Sequence, residues 1–144
     1  MTLVRNTLAV VLGLAAGGVV NMGLVVLGPM IIAPPAGVDV TNEESMAAGI
    51  HLFEARHFLF PFLAHALGTL VGALVTSLLA VSRRTALALL IGLFFLAGGI
   101  SVAIMIPAPA WFIATDLIVA YLPCAWLGST LGLKLRRAGP PEKG

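Results

Sequence analysis

His65 and Asp116 are the residues of this 144-residue sequence best placed to do chemistry, because each is a titratable group set inside a long apolar stretch. An ionisable side chain in hydrocarbon costs several kcal/mol unless it faces a helix bundle or meets a partner, so its position is a site hypothesis. Counted from the ends of their apolar stretches that would lie on the inner side, Asn21, His65, Ser101 and Asp116 sit about 15 to 18 residues in. That is roughly 22 to 27 Å at the helical rise. Each stretch thus contributes one polar residue to a common layer in the outer third of a membrane. The expectation is that His65 and Asp116 are partners, with Asn21 and Ser101 completing the hydrogen bonds. The layer either binds or passes a small solute, ion or proton, or serves as a polar lock between helices, each bond contributing about 1 kcal/mol or less in lipid.

The stretch that carries His65 holds a wider polar set. Wound as a helix, His51, Glu54, His57, His65, Gly68, Thr69, Gly72 and Thr76 fall within an arc of about 120°. Gly68-x-x-x-Gly72 permits another backbone to approach closely, so this face turns inward, towards its own bundle or a second subunit. Glu54-x-x-His57 has the spacing of one half of a carboxylate-bridged metal site, but the second pair and the further carboxylates are missing unless a symmetric dimer supplies them. Otherwise these are ordinary headgroup-level residues. His65 beside Gly68 and Gly72 would suit a flat macrocycle such as haem, with the second axial ligand coming from another subunit. No cofactor is the simplest expectation. HExxH, GxSxG and a phosphate loop with lysine are all absent, and the single Cys124 excludes a redox pair, so an enzyme is not favoured.

The elements that must hold these residues follow from composition. With 60% hydrophobic residues, 10% charged residues and a mean hydropathy of +1.08, the chain is a membrane protein. A bilayer core needs about 20 apolar residues per helical crossing. Charge-sparse runs predict four spans, about 7–32, 57–82, 85–106 and 110–133. Pro107-Ala108-Pro109 divides the last two. The first resembles a signal sequence but is too long and lacks a clean cleavage site, so an uncleaved anchor is expected. Residues 1–137 then form one all-α four-helix transmembrane domain and 138–144 a breaker-rich tail without a fold.

Arg5, Arg83, Arg84, Lys134, Arg136, Arg137 and Lys143 fall on one side of this topology, leaving Arg56 opposite; both termini are therefore expected in the cytoplasm. The charge pattern gives no sign of nucleic-acid binding. On the outer side, Thr41-Asn-Glu-Glu44 matches a capping box, so a surface or re-entrant helix should begin near Asn42 and enter the membrane near Phe58 with a bend at Pro61.

Three segments carry a resemblance: Pro34-Pro35-Ala-Gly-Val-Asp39, His51-Leu-Phe-Glu-Ala-Arg-His-Phe-Leu-Phe-Pro-Phe-Leu-Ala-His-Ala-Leu-Gly-Thr-Leu-Val-Gly72 and Pro109-Ala-Trp-Phe-Ile-Ala-Thr-Asp116. Together they resemble small bacterial four-span inner-membrane proteins of unassigned function, over nearly the whole chain. The resemblance implies a bacterial inner membrane and no particular chemistry. Three functional readings follow from the residues. The first is a non-enzymatic protein with an outer-facing polar cavity lined by Asn21, Glu54, His57, His65, Ser101 and Asp116, working as a homo-oligomer. The second is an accessory subunit docked into a larger membrane complex through Gly68 and Gly72. The third is a redox protein with a metal at Glu54 and His57, or a haem.

Overall fold

The computed structural model describes residues 1–138; residues 139–144, and with them most of the expected tail and the Lys143 charge, lie outside the described residues. The described chain is all-α. Six helices run in the order α1 (Thr2–Ile31), α2 (Glu43–Gly49), α3 (Leu59–Leu79), α4 (Arg84–Met105), α5 (Ala110–Val119) and α6 (Leu122–Ala138). Two single 3-10 turns, Ile50–Leu52 and Ala55–Phe58, lie between α2 and α3. Four helical stretches are long and apolar enough to cross a membrane: Thr2–Ile31, Ala55–Leu79, Arg84–Met105 and Ala110–Ala138. This is the four-span helical protein that the charge-free runs foretell.

Helix α3 is the central element, because it carries small residues on two faces. Towards α1, Gly68 and Gly72 interlock with Gly13 and Gly17: a methyl on Gly17 would stand 2.6 Å from the Gly68 carbonyl, and one on Gly72 would stand 2.9 Å from that of Gly13. Backbones this close are what a pair of small-x-x-x-small motifs provides, since nothing bulkier than hydrogen fits between them. Towards α6, Ala73 and Ser77 meet Gly128 and Gly132 in the same manner, and Ala66 packs beside Ala120, Tyr121 and Cys124. The inward face expected of Gly68 and Gly72 is thus turned to the chain's own first helix. It is not left for a second subunit or a larger complex.

Polar ties fix the ends. The Asn6 carboxamide accepts from the amides of Val81 and Ser82 at 3.0 and 3.4 Å and donates to the Ser82 hydroxyl at 2.9 Å, stapling the start of α1 to the α3–α4 turn. Arg136 donates to the Leu78 carbonyl at 2.7 Å, drawing the end of α6 to the same place. The opposite end is closed by aromatic contacts of Phe58 with Trp111 and Phe112 at 5.6 and 4.7 Å between ring centroids. Arg5, Arg83, Arg84, Lys134, Arg136 and Arg137 therefore gather at one end of the bundle, and Asp39, Glu43 and Glu44 belong to the connection at the other.

Three local expectations need correction. Thr41 does not cap α2. Its amide and hydroxyl both donate to Asp39, at 2.8 and 2.6 Å, and Asn42 instead accepts from the Ser45 amide at 2.8 Å. Pro61 does not interrupt the helix, because α3 starts only at Leu59 and a proline in the first turn removes an amide that has no helical acceptor. The fourth span is not one helix. Pro123 has no N–H for the Val119 carbonyl, so the helix breaks at Ala120 and Tyr121 and restarts as α6, with the Cys124 thiol donating to that carbonyl at 3.4 Å.

Candidate functional site

The break in the fourth span builds the site. Asp116 stands two thirds of the way along α5, and Tyr121 lies in the break itself. On an unbroken helix residues five apart diverge by about 140°, but the interruption lets the Tyr121 hydroxyl donate to Asp116 Oδ2 at 2.9 Å. From α3, His65 Nδ1 lies 2.9 Å from both oxygens of the same carboxylate. The imidazole and phenol rings stack with centroids 5.6 Å apart and planes 29° from parallel. Gly99 on α4 makes the room: a methyl there would strike the Tyr121 ring.

Burial within this cluster is uneven. The Asp116 side chain is 6% exposed and that of His65 is 18% exposed, so the carboxylate is enclosed while one edge of the imidazole remains open. One turn further along α3, Thr69 is fully buried and its hydroxyl has no hydrogen-bond partner within the described protein. A threonine inside a helix usually returns its hydroxyl to a carbonyl of the preceding turn. Thr69 departs from this, and a buried hydroxyl without a protein partner is one that an ordered water commonly satisfies.

Of the residues expected in the polar layer, the structure joins His65 and Asp116 directly and within one chain. Asn21 is half-buried and packs its Cβ over Gly68, at the α1 side of the same helix. Ser101 is exposed, its hydroxyl donated to the Ala97 carbonyl at 2.9 Å, and does not join the pair. Glu54 and His57 form a reciprocal cap on the turn that precedes α3: the Glu54 carboxylate accepts from the His57 amide, and His57 Nδ1 accepts from the Glu54 amide at 2.9 Å. Glu54 also pairs with Arg56 at 3.0 Å on the surface. The donor atoms of these two residues are thus engaged locally, and no group of three or more His, Cys, Asp or Glu converges among the described residues. Gly68 and Gly72, which would leave room beside His65, are covered by the α1 backbone.

The expected single polar cavity is therefore divided. The His65 cluster sits inside the bundle, whereas the cavity between α1, the α2 connection and the start of α3 has apolar walls and takes from the expected set only His57. Tyr121 was not anticipated; its signal was Pro123, a helix breaker in the middle of a span. Fold and site together define a multi-pass, all-α membrane protein with a buried imidazole, carboxylate and phenol cluster. Comparison with family models, curated proteins and solved structures gives no match, so the site must be read from its own geometry.

Proposed function

We propose that this protein works in a bacterial cytoplasmic membrane, both termini inside, and that its His65, Asp116 and Tyr121 cluster binds and passes a proton. The orientation is supported by the basic residues gathered at the termini end and the acidic connection opposite, the charge asymmetry that membrane insertion produces. The functional reading is carried by one observation: a titratable pair inside a span whose carboxylate is enclosed and whose imidazole is partly open. Ionising such a pair as imidazolium and carboxylate keeps it neutral overall, which suits a low-dielectric interior, and a proton added or lost at the imidazole changes the local charge by one.

Towards the termini end, buried hydroxyls extend the polar line. Thr69 lies about 6 Å beyond His65 along the axis. Thr76 and Ser77 follow, donating to the carbonyls of Ala9 and Ser129. Ser129 in turn donates to Thr85 at 3.3 Å, beside the α3–α4 turn. Hydroxyls that both donate and accept can hand a proton along when water fills the gaps.

The test is proton flux into liposomes, reported by an enclosed pH dye under an imposed gradient. Wild type should give flux above empty liposomes, Asp116→Asn should remove it, and Thr69→Val should reduce it without unfolding the protein. Equal flux from wild type and Asp116→Asn overturns the proposal and leaves the cluster a lock between α3 and the fourth span.

A further inference from the structure

Away from the cluster, a cavity of about 450 Å³ lies between the far halves of α1 and α3 and is roofed by the connection that carries α2. Its volume falls within the usual range of small-molecule sites, about 300 to 1,000 Å³. Met22 and Val25 of α1 form one wall, Phe60 and Pro61 of α3 the other, and Met46 and Phe53 the roof. The cavity does not depend on the proton reading, since neither His65 nor Asp116 lines it.

Three features restrict what could fill it. First, no Asp, Glu, Lys or Arg lines it, and the nearby Glu54 and Arg56 neutralise one another, so the occupant carries no net charge. Second, the polar groups are few. His57 Nδ1 is taken by the Glu54 amide, so the neutral ring carries its hydrogen on Nε2 and offers a donor there. Such a donor asks for an acceptor such as a carbonyl oxygen. Third, the rings of Phe53 and His57 stand edge to face at 5.3 Å, and Phe60 lines the same cavity. Aromatic walls favour a flat head over a branched glycerol ester. The cavity also lies at the end of the apolar part of α1, where an amphipath has its head near the membrane surface and its chain in the hydrocarbon.

We propose that this cavity binds a lipid-soluble quinone, its ring between Phe53 and Phe60, one carbonyl accepting from His57 Nε2, and its chain along Met22 and Val25. A planar, uncharged, carbonyl-bearing ring on an apolar tail meets all three restrictions at once. Only binding is proposed, with no electron transfer.

The experiment titrates the full chain, in nanodiscs of neutral lipid, with a benzoquinone bearing a decyl tail, against dioctanoylglycerol as the carbonyl-bearing lipid without a ring. The expected result is saturable binding at one quinone per chain, above the partition seen in empty nanodiscs and unaffected by a tenfold excess of dioctanoylglycerol. His57→Leu should weaken binding about tenfold. Because that change also removes the cap on the turn before α3, Met46→Trp is the second variant: it fills the roof, leaves the cap in place and should abolish saturable binding. Binding no greater than partition, binding unchanged in Met46→Trp, or displacement by dioctanoylglycerol would overturn the proposal.

Discussion

A double-mutant cycle on His65 and Asp116 separates a true pair from two residues that merely lie close. Asp116→Val leaves His65 Nδ1 and the Tyr121 hydroxyl, both 2.9 Å from the carboxylate, without their acceptor. Each buried unsatisfied donor costs about 1 to 3 kcal/mol. His65→Leu leaves a nearly enclosed carboxylate with Tyr121 alone, and an uncompensated buried charge costs about 3 to 5 kcal/mol in soluble proteins. The double variant orphans only the Tyr121 hydroxyl, about 1 to 3 kcal/mol. The double loss should therefore fall well short of the summed single losses. Hydrogen bonds measured inside membrane proteins average about 0.6 kcal/mol, so the lower end of these ranges applies. The lower ends give a coupling of about 4 kcal/mol. The assay is unfolding by dodecyl sulfate from bicelles, followed by far-ultraviolet circular dichroism. Additivity of the two changes within about 0.5 kcal/mol, the behaviour of independent sites, would refute the pairing.

Other consequences follow from the packing and the loop. Gly72→Leu drives a side chain into the Gly13 carbonyl and should separate α1 from α3, costing about 1 to 3 kcal/mol or more in the same unfolding assay and lengthening the distance between spin labels on Val20 and Leu67. Gly99→Ala should displace the Tyr121 ring and lower proton flux while leaving the α1 contact intact, which flux and spin-label distance report separately. In the connection before α2, hydrogen bonds from the Thr41 hydroxyl and amide hold the Asp39 carboxyl below its ordinary range. Because the folded pKa is depressed, the turn is stabilised above the unfolded value and loses that contribution as pH falls through the lowered folded value. An NMR titration should show Asp39 rising towards the ordinary range in Thr41→Val.

Depth was legible in the sequence and azimuth was not. Charge-free runs located the four spans, and counting residues placed His65 and Asp116 at one level, where they meet. The same count placed Ser101 there. It lies two residues from Gly99, however, and therefore about 200° round the helix from the face that meets Tyr121. Asn21 sits at the right level but on the α1 side of α3, where Gly68 receives it. Glu54 and His57 read as ligands because their spacing suits a helix, whereas Glu54 is extended and the pair closes a cap. Thr41 lost its expected cap because Asp39, two residues earlier, competes for its amide and hydroxyl. Tyr121 was hidden for a different reason. A phenol in a span attracts no notice by charge, and only the helix break at Pro123 brings it round to Asp116.

The central claim is that His65 exchanges a proton while it remains bonded to Asp116. Nitrogen-15 NMR of the histidine-labelled protein in bilayers reads this directly, with His51→Gln and His57→Gln removing the other two imidazoles. The account predicts that the His65 ring nitrogens gain and lose a proton reversibly in the bilayer, and that Asp116→Asn alters this exchange. A ring fixed in one protonation state, in both the parent and Asp116→Asn, would contradict it.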